Sequence, residues 1–407
     1  MQTFAYKARD AQGKLTKGVM PAESSDELYG HLKKLGYFLT EAKPVVATSR
    51  TVAKMPAMGA ADVMQFTTQL AISVDSGLPL LASLKELART STKKNVRFVL
   101  EDVARRIESG TNMREALAQH PRSFSLLYIS IIEAGESTGK LPVVLNDLAK
   151  LLEWQMELQA KIQEASIYPA ILFLVMVSVV GVMIGVVIPK FKPMLEELGT
   201  GLPVPTMIIL SLSTFLQNFW WLLVLLIGGS IGGYMWANSQ EKGRYEIDKI
   251  KLSLPVFGDL INKVALSRFC HTFALSLKSG VNVFSALGIA SHVVDNKLIE
   301  VSIVKAKDYV NVGEKISTSL ELASKGTGRK FPDIVIRMIQ VGEQSGSLAE
   351  TMEKVNQYYD KEVPTTVRKI FAMLEPMMIV VMGLVVAGIA LAVFLPMMQM
   401  ITAVGGG

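Results

Sequence analysis

Residues 131–141 read IIEAGESTGKL, and residues 338–348 read MIQVGEQSGSL. The first resembles a phosphate-binding loop, which requires G-x-x-x-x-G-K-[ST] between a strand and a helix. The spacing fails, because the first glycine of such a loop would have to stand at Ala134 and a magnesium-holding hydroxyl where Leu141 stands. The second stretch supplies the better reading. Gly135, Glu136 and Gly139 fall on Gly342, Glu343 and Gly346 at an offset of 207, and the same offset carries Pro169 onto Pro376. Upstream, FTTQLAISVDSGLPLLASL (66–84) pairs with FCHTFALSLKSGVNVFSAL (269–287) at an offset of 203. The second copy therefore carries about four extra residues, placed near SKGTGRK. Two separately placed blocks in matched order describe a tandem duplication. Lys140 falls on Ser347, so a lysine-dependent chemistry would serve one copy only.

Each copy reads as helices. Residues 62–75 and 265–278 carry apolar side chains at spacings of three and four. Ser-Gly ends each of these helices, with Gly in the left-handed C-terminal position, and Pro79 suits a following first turn. A short helix is expected from about Thr111. Long amphipathic helices are expected over 141–164 and 348–369, running toward Pro169 and Pro376. The motifs at Gly135, Glu136, Gly139 and Gly342, Glu343, Gly346 then sit between helices. There the glycines permit a tight turn and the carboxylates receive N–H donors of the next helix start. The same residues could instead shape a partner surface.

Three stretches are long and apolar enough to cross a bilayer. The first, 165–189, has no charged residue. About 25 residues at ~1.5 Å each give roughly 37 Å, against a hydrocarbon core of ~30 Å. The second is centred on FWWLLVLLIGGSIGGYMW (219–236), with Trp at either end as interface anchors. TMIILSLSTFLQN before it is either an earlier part of the same helix or an interfacial segment. The third is 376–398. Gly181 with Gly185, Gly228 with Gly232, and Gly383 with Ala387 recur at the spacing that lets membrane helices approach; the alternative is that these glycines are merely tolerated. Pro169 and Pro376 are expected to kink their helices where the chain enters the membrane. Lys242, Arg244, Lys249 and Lys251 follow the second span and Lys361, Arg368 and Lys369 precede the third, which places both large domains in the cytoplasm and the C-terminus outside.

Composition narrows the function classes. The chain has 407 residues, 50% of them hydrophobic, and a positive mean hydropathy. A net charge of +6 with interleaved signs gives no basic stripe for nucleic acid. The single cysteine, Cys270, excludes an intrachain disulfide framework. The four histidines show no ligand spacing, so neither metal nor cofactor is expected. The N-terminus lacks the apolar region of a signal peptide, and internal segments are expected to direct insertion. The first 45 residues differ from the repeats: FAYKARDAQGKLTKGVM alternates as a hairpin, SSDELYGHLKKLG reads as a short helix and YFLTEAKP as an extended piece.

The expected fold is an all-α membrane protein with two tandem cytoplasmic helical bundles of about six helices each, three transmembrane helices and a small α+β N-terminal region. The expected divisions are 1–45 (N-terminal region), 46–60 (linker), 61–165 (first bundle), 166–189 (span), 190–206 (periplasmic loop), 207–238 (span), 239–263 (connection), 264–370 (second bundle), 375–400 (span) and 401–407 (periplasmic tail).

The N-terminal F-x-Y-x-A-x-D-x-x-G pattern (Phe4, Tyr6, Ala8, Asp10, Gly13), the Ser-Gly blocks, AGE-x-x-G and VGE-x-x-G, and Tyr168-Pro169 with Glu375-Pro376 carry a resemblance. Together they resemble the PilC/GspF-like family, the inner-membrane platform proteins of type IV pili and type II secretion systems. The resemblance spans essentially the whole chain, and the departures are VGE for AGE in the second copy and HPRSFS for the usual Phe-Pro in the first. It implies a homo-oligomeric, non-enzymatic platform in the bacterial inner membrane. The implied partners are a cytoplasmic assembly ATPase, pilin or pseudopilin subunits, other inner-membrane assembly components and the lipid bilayer, with no nucleic acid. The rival class is a membrane transporter built from duplicated halves, disfavoured because no span carries an ionisable residue near its middle. An enzyme using Glu133 with Glu136 is disfavoured because Glu133 falls on Gln340.

Overall fold

The computed structural model describes residues 2–9, 15–22, 29, 38–45, 56–183, 185, 204–327 and 331–405. The chain opens with three strands, β1 (Gln2–Arg9), β2 (Leu15–Ala22) and β3 (Phe38–Val45), in an antiparallel sheet of order β2-β1-β3. Lys7 pairs with Lys17 on one side and Glu41 on the other, and β1–β3 has an irregularity at Lys7/Ala8. The short helix expected within 24–36, most of the linker, Asp10 and Gly13, and the loop after the first apolar stretch lie outside the described residues.

Helices follow. The first bundle holds α1 (Ala60–Asp75), α2 (Leu80–Thr90), α3 (Lys94–Glu108), α4 (Met113–Ala118) and α5 (Leu126–Thr138), which lead into the 42-residue α6 (Leu141–Val182). α7 (Val204–Ser239) and α8 (Glu241–Ser253) connect to the second bundle. This comprises α9 (Phe257–Lys278), α10 (Val283–His292), α11 (Lys297–Asn311), α12 (Ile316–Thr327) and α13 (Asp333–Ser345), which lead into the 58-residue α14 (Leu348–Gly405). The stretch 239–263, expected as a connection, thus contains α8 and the first turns of α9.

The duplication governs the architecture. Leu80, Lys94 and Met113 begin helices whose counterparts begin at Val283, Lys297 and Ile316, an offset of 203; Leu126 and Leu141 answer to Asp333 and Leu348 at 207. The four added residues therefore fall at the end of α12 or just after it. Gly77 and Gly280 sit at φ 85° and 87°, where Cβ is disfavoured. They close α1 and α9 with the paired bonds of a Schellman turn, Leu78 N–H to the Ser73 carbonyl and Val281 N–H to that of Ser276.

Each copy buries its own core. Phe66, Leu70, Leu84, Leu100, Leu117 and Tyr128 fill the first, and Phe269, Phe273, Leu287, Leu320, Ile339 and Tyr359 the second. The two cores meet: Leu275 and Ile289 of the second bundle pack into the first, and Leu158 of α6 packs into the second. In contrast, the distal halves of α6 and α14 leave Leu174, Phe173, Leu384 and Phe394 exposed. Among the described residues two helices, the segments Leu141–Val182 and Leu348–Gly388, are long and apolar enough to cross a membrane. α7 is helical but carries a break at Phe219 (φ −118°, ψ 20°), so TMIILSLSTFLQN and the Trp-flanked stretch are two helical pieces joined at an angle.

Candidate functional site

The repeated Gly-Glu motifs are not loops. α5 runs through Gly135 and Glu136 to Thr138, and α13 through Gly342 and Glu343 to Ser345. Only Gly139 (φ 67°) and Gly346 (φ 72°) occupy the left-handed turn position. Lys140 N–H closes on the Gly135 carbonyl and Ser347 N–H on that of Gly342, so these amides are already engaged as C-cap bonds.

The other two glycines have a different task. A Cβ on Gly135 would lie 2.9 Å from Val144 Cβ. One on Gly342 would lie 2.3 Å from Thr351 Oγ1 and 2.9 Å from Leu348 Cα. They let α5 and α13 lie directly against the long helices that follow.

The glutamates also differ from expectation. Their carboxylates cap the preceding short helices rather than the next long ones. Glu136 accepts from Met113 N–H (3.0 Å) and Arg114 N–H (3.4 Å) at the start of α4. Glu343 accepts from Ile316 N–H, Ser317 N–H (3.2 Å) and Ser317 Oγ (2.6 Å) at the start of α12. The sequence distances, 23 and 27 residues, hide this from local spacing. Physically, a negative group meets the free N–H donors and positive dipole end of a helix.

The long helices form the centre of the arrangement. Trp154 Nε1–H on α6 donates to Asp360 Oδ1 on α14 at 2.7 Å, and Tyr168 O–H donates to Glu375 Oε1 at 3.3 Å. These bonds join positions 206 and 207 apart, one residue short of the repeat offset of 207 and equal to it. α6 and α14 therefore run parallel and in register, as partners about a pseudo-twofold axis. Pro169 and Pro376, expected as kink sites, lie immediately beyond the Tyr168–Glu375 contact, and α6 remains helical through Pro169.

At the bundle end, His271 of α9 stacks on Trp154, with ring centroids 3.7 Å apart and planes at 17°. Its Nδ1–H donates to the Ser267 carbonyl at 2.9 Å, and its Nε2 lies 3.4 Å from Asp360 Oδ1. Desolvation at the junction would raise the Asp360 carboxyl, but the His271 and Trp154 hydrogen bonds outweigh it and hold the group below its ordinary range. Lys278 of α9 bridges to Asp147 of α6 at 2.9 Å. A cleft of about 840 Å³ opens beside this junction between α6, α9 and α14. Trp154, His271 and Asp360 were not foreseen from sequence; the signal was a lone Trp on an amphipathic helix.

The glycines expected to pack membrane helices stand in open space among the described residues. A Cβ at Gly181, Gly185, Gly228, Gly232 or Gly383 would meet nothing within 4 Å. Among the described residues no group of three or more His, Cys, Asp or Glu is placed to hold a metal ion. Burial pushes the Cys270 thiol up, so it is a poor nucleophile.

Comparison with known proteins agrees with the internal symmetry. The sequence profile of "Type II secretion system (T2SS), protein F" matches residues 66–189 and again 269–396, and that of the protein F N-terminal domain matches residues 1–43. A type IV pilus assembly protein PilC of Thermus thermophilus is 35% identical over 405 residues, covering 98% of both chains. A PilC of Myxococcus xanthus is 31% identical, covering 98% of this chain and 95% of its own. A type II secretion system protein F of Vibrio cholerae is 29% identical, covering 98% of each. Matched twice along its length and aligned with these relatives end to end, the chain belongs to the type II secretion system protein F family.

Proposed function

We propose that the chain is an inner-membrane platform protein of a type IV pilus or type II secretion machine, coupling a cytoplasmic assembly ATPase to the assembly of pilin or pseudopilin subunits. The observation that carries this reading is the parallel, in-register pairing of α6 and α14. Each passes without interruption from a buried bundle core into an exposed apolar half, so a displacement of either bundle reaches the apolar segment through one continuous helix.

The same pairing supports three spans. With α6 and α14 pointing the same way, the chain must return to the bundle side between them. α7, whose piece after the break at Phe219 has about 20 residues and a length of roughly 30 Å at ~1.5 Å per residue, is the element that can do so. The proposed divisions are those expected from sequence: bundles at 61–165 and 264–370 in the cytoplasm, spans at 166–189, 207–238 and 375–400, and a periplasmic C-terminus. Pro169 and Pro376 serve as hinges at the membrane boundary. Gly181, Gly185, Gly228, Gly232 and Gly383, open on this chain, pack against a second copy or another membrane helix. No catalytic step is assigned.

The test is copurification of the detergent-solubilised full chain with the assembly ATPase encoded by the same organism, together with filament assembly in a strain carrying Pro169→Ala and Pro376→Ala. Capture of the ATPase with loss of filaments is expected. Failure to capture it would remove the platform reading. Normal filaments from the double variant would remove the hinge.

A further inference from the structure

We propose that the turn between α8 and α9, residues 250–257, is a monotopic foot that inserts into the headgroup boundary of the bilayer; this rests on the reading of α7 as a membrane span.

The turn exposes a compact set of large apolar side chains: Ile250 (62% exposed), Leu254 (46%), Val256 (43%) and Phe257 (41%). Ile250 and Leu254 share one face of α8 and its continuation, being four residues apart. The turn itself is held rigidly outward. Phe257 N–H closes on the Pro255 carbonyl at 2.8 Å, with Val256 at φ 72° and ψ −56° between them, a strained three-residue turn for a β-branched residue. Gly258 sits under the Leu252 carbonyl, where any Cβ would lie 2.2 Å from that oxygen. The tight turn leaves Val256 and Phe257 exposed at its tip.

Two independent measures put this tip level with the membrane surface. First, Lys251 Nζ lies 5.7 Å from the centroid of the Tyr234 ring on α7. Were α8 to continue straight on from α7, residues 234 and 251 would be about 25 Å apart. α8 is instead turned across the end of α7, beside Tyr234, two residues from Trp236, one of the tryptophans expected as interface anchors. Second, α9 runs antiparallel to α14. Lys263 Nζ bonds Glu362 Oε1 (2.8 Å) and Thr366 Oγ1 (3.0 Å), while His271, further along α9, meets Asp360. Following that direction back to Phe257 reaches the level of about residue 372 on α14. Phe371 accordingly packs on the same core as Leu260 and Ile261. The uncharged stretch of α14 begins four residues on, at Pro376. An apolar tip at that height meets lipid rather than water. The exposed charges of α8, Glu241, Lys242, Glu246 and Lys249, balance. The contact is therefore with the boundary of headgroups and acyl chains and does not require anionic lipid.

The experiment places nitroxide labels on Leu254→Cys and Val256→Cys in the full chain, reconstituted in phosphatidylcholine nanodiscs. Cys270 is fully buried, so the unmodified protein serves as the labelling blank. Ile231→Cys on α7 reports lipid, and Val312→Cys, exposed at the end of α11, reports water. Collision rates with oxygen and with a nickel chelate are measured. The expected result is an oxygen-to-nickel ratio at 254 and 256 several-fold above that at 312 and approaching that at 231. Ratios at both positions equal to that at 312, with 231 in lipid, overturn the foot alone. A ratio at 231 equal to that at 312 overturns the spanning reading of α7 and the foot with it.

Discussion

Replacing Glu343 with alanine removes the acceptor for three donors at the start of α12: Ile316 N–H, Ser317 N–H and Ser317 Oγ. Two are backbone groups with no partner inside the helix. Leaving such partly buried donors unsatisfied costs about 1–3 kcal/mol, and losing a negative group at a helix N-terminus about 0.3–1 kcal/mol more. The expected loss is about 2–4 kcal/mol, concentrated on α12, which at 12 residues does not hold its shape without tertiary contacts. Hydrogen exchange of the intact chain in detergent reads this directly. Since 1.4 kcal/mol is a factor of ten, exchange over 314–327 should quicken by roughly 30- to 700-fold, while α1 to α5 are unaffected. Glu343→Gln keeps an acceptor and should fall between. Glu136→Ala should act the same way on α4, less strongly, because Glu136 is exposed and binds two amides rather than three groups. Unchanged exchange over 314–327 in Glu343→Ala would refute the capping account. Were partner binding lost at the same time, the motif would be a contact surface instead.

Three further outcomes follow from the packing and the junction. Gly342→Ala should destabilise the second bundle by about 1–3 kcal/mol through overpacking. Thr351→Ala should restore only part of that in a melting experiment, because Leu348 Cα still stands 2.9 Å from the new methyl. Phe66→Ala and Phe269→Ala, at equivalent buried positions, should each cost about 3–5 kcal/mol, with hydrogen exchange raised chiefly in the bundle that holds the change. Asp360→Asn should lower the melting temperature by an amount that is flat from pH 5 to 8. The carboxyl of Asp360 is held below its ordinary value of 3.8 in the folded chain. Its contribution is therefore complete above that value and is lost only as pH falls through the depressed one. A difference that shrinks between pH 8 and 5 would show another group controlling the junction.

The parts legible in sequence were those with a local physical signature. Ser76-Gly77 and Ser279-Gly280 ended their helices because a left-handed position favours glycine. The 203 and 207 offsets were read from residue identity alone and return as helix starts. What was not legible depended on contacts between distant residues. Nothing near Glu136 in sequence signals that its partner is the amide of Met113, since the carboxylate crosses between helices. Gly135 and Gly139 look alike on paper, yet one is a steric concession to Val144 and the other a turn. Likewise the spacing of Gly228 and Gly232 fits close packing, but spacing does not identify the helix that packs there.

The parallel stalks bear on how such a duplication is used. Two copies joined by a short connection would ordinarily pack antiparallel, since a chain leaving one helix at its far end begins the next there. Here α7 carries the chain back, and the two long helices meet in register at both ends of the paired segment: Tyr168 with its equivalent Glu375, and Trp154 with Asp360, one residue from its equivalent. Equivalence of position has not kept equivalence of residue. Asp360 answers to Glu153 and Trp154 to Lys361, and Tyr168 answers to Glu375 itself. A strictly symmetric pair would set tyrosine against tyrosine or carboxylate against carboxylate. At Tyr168 and Glu375 divergence of the two halves turned a like-with-like contact into a donor facing an acceptor, a bond that identical residues on the axis of a symmetric dimer would not make in this form. The two bundles can therefore differ in surface while their stalks remain tied both at the bundle end and where the apolar halves begin.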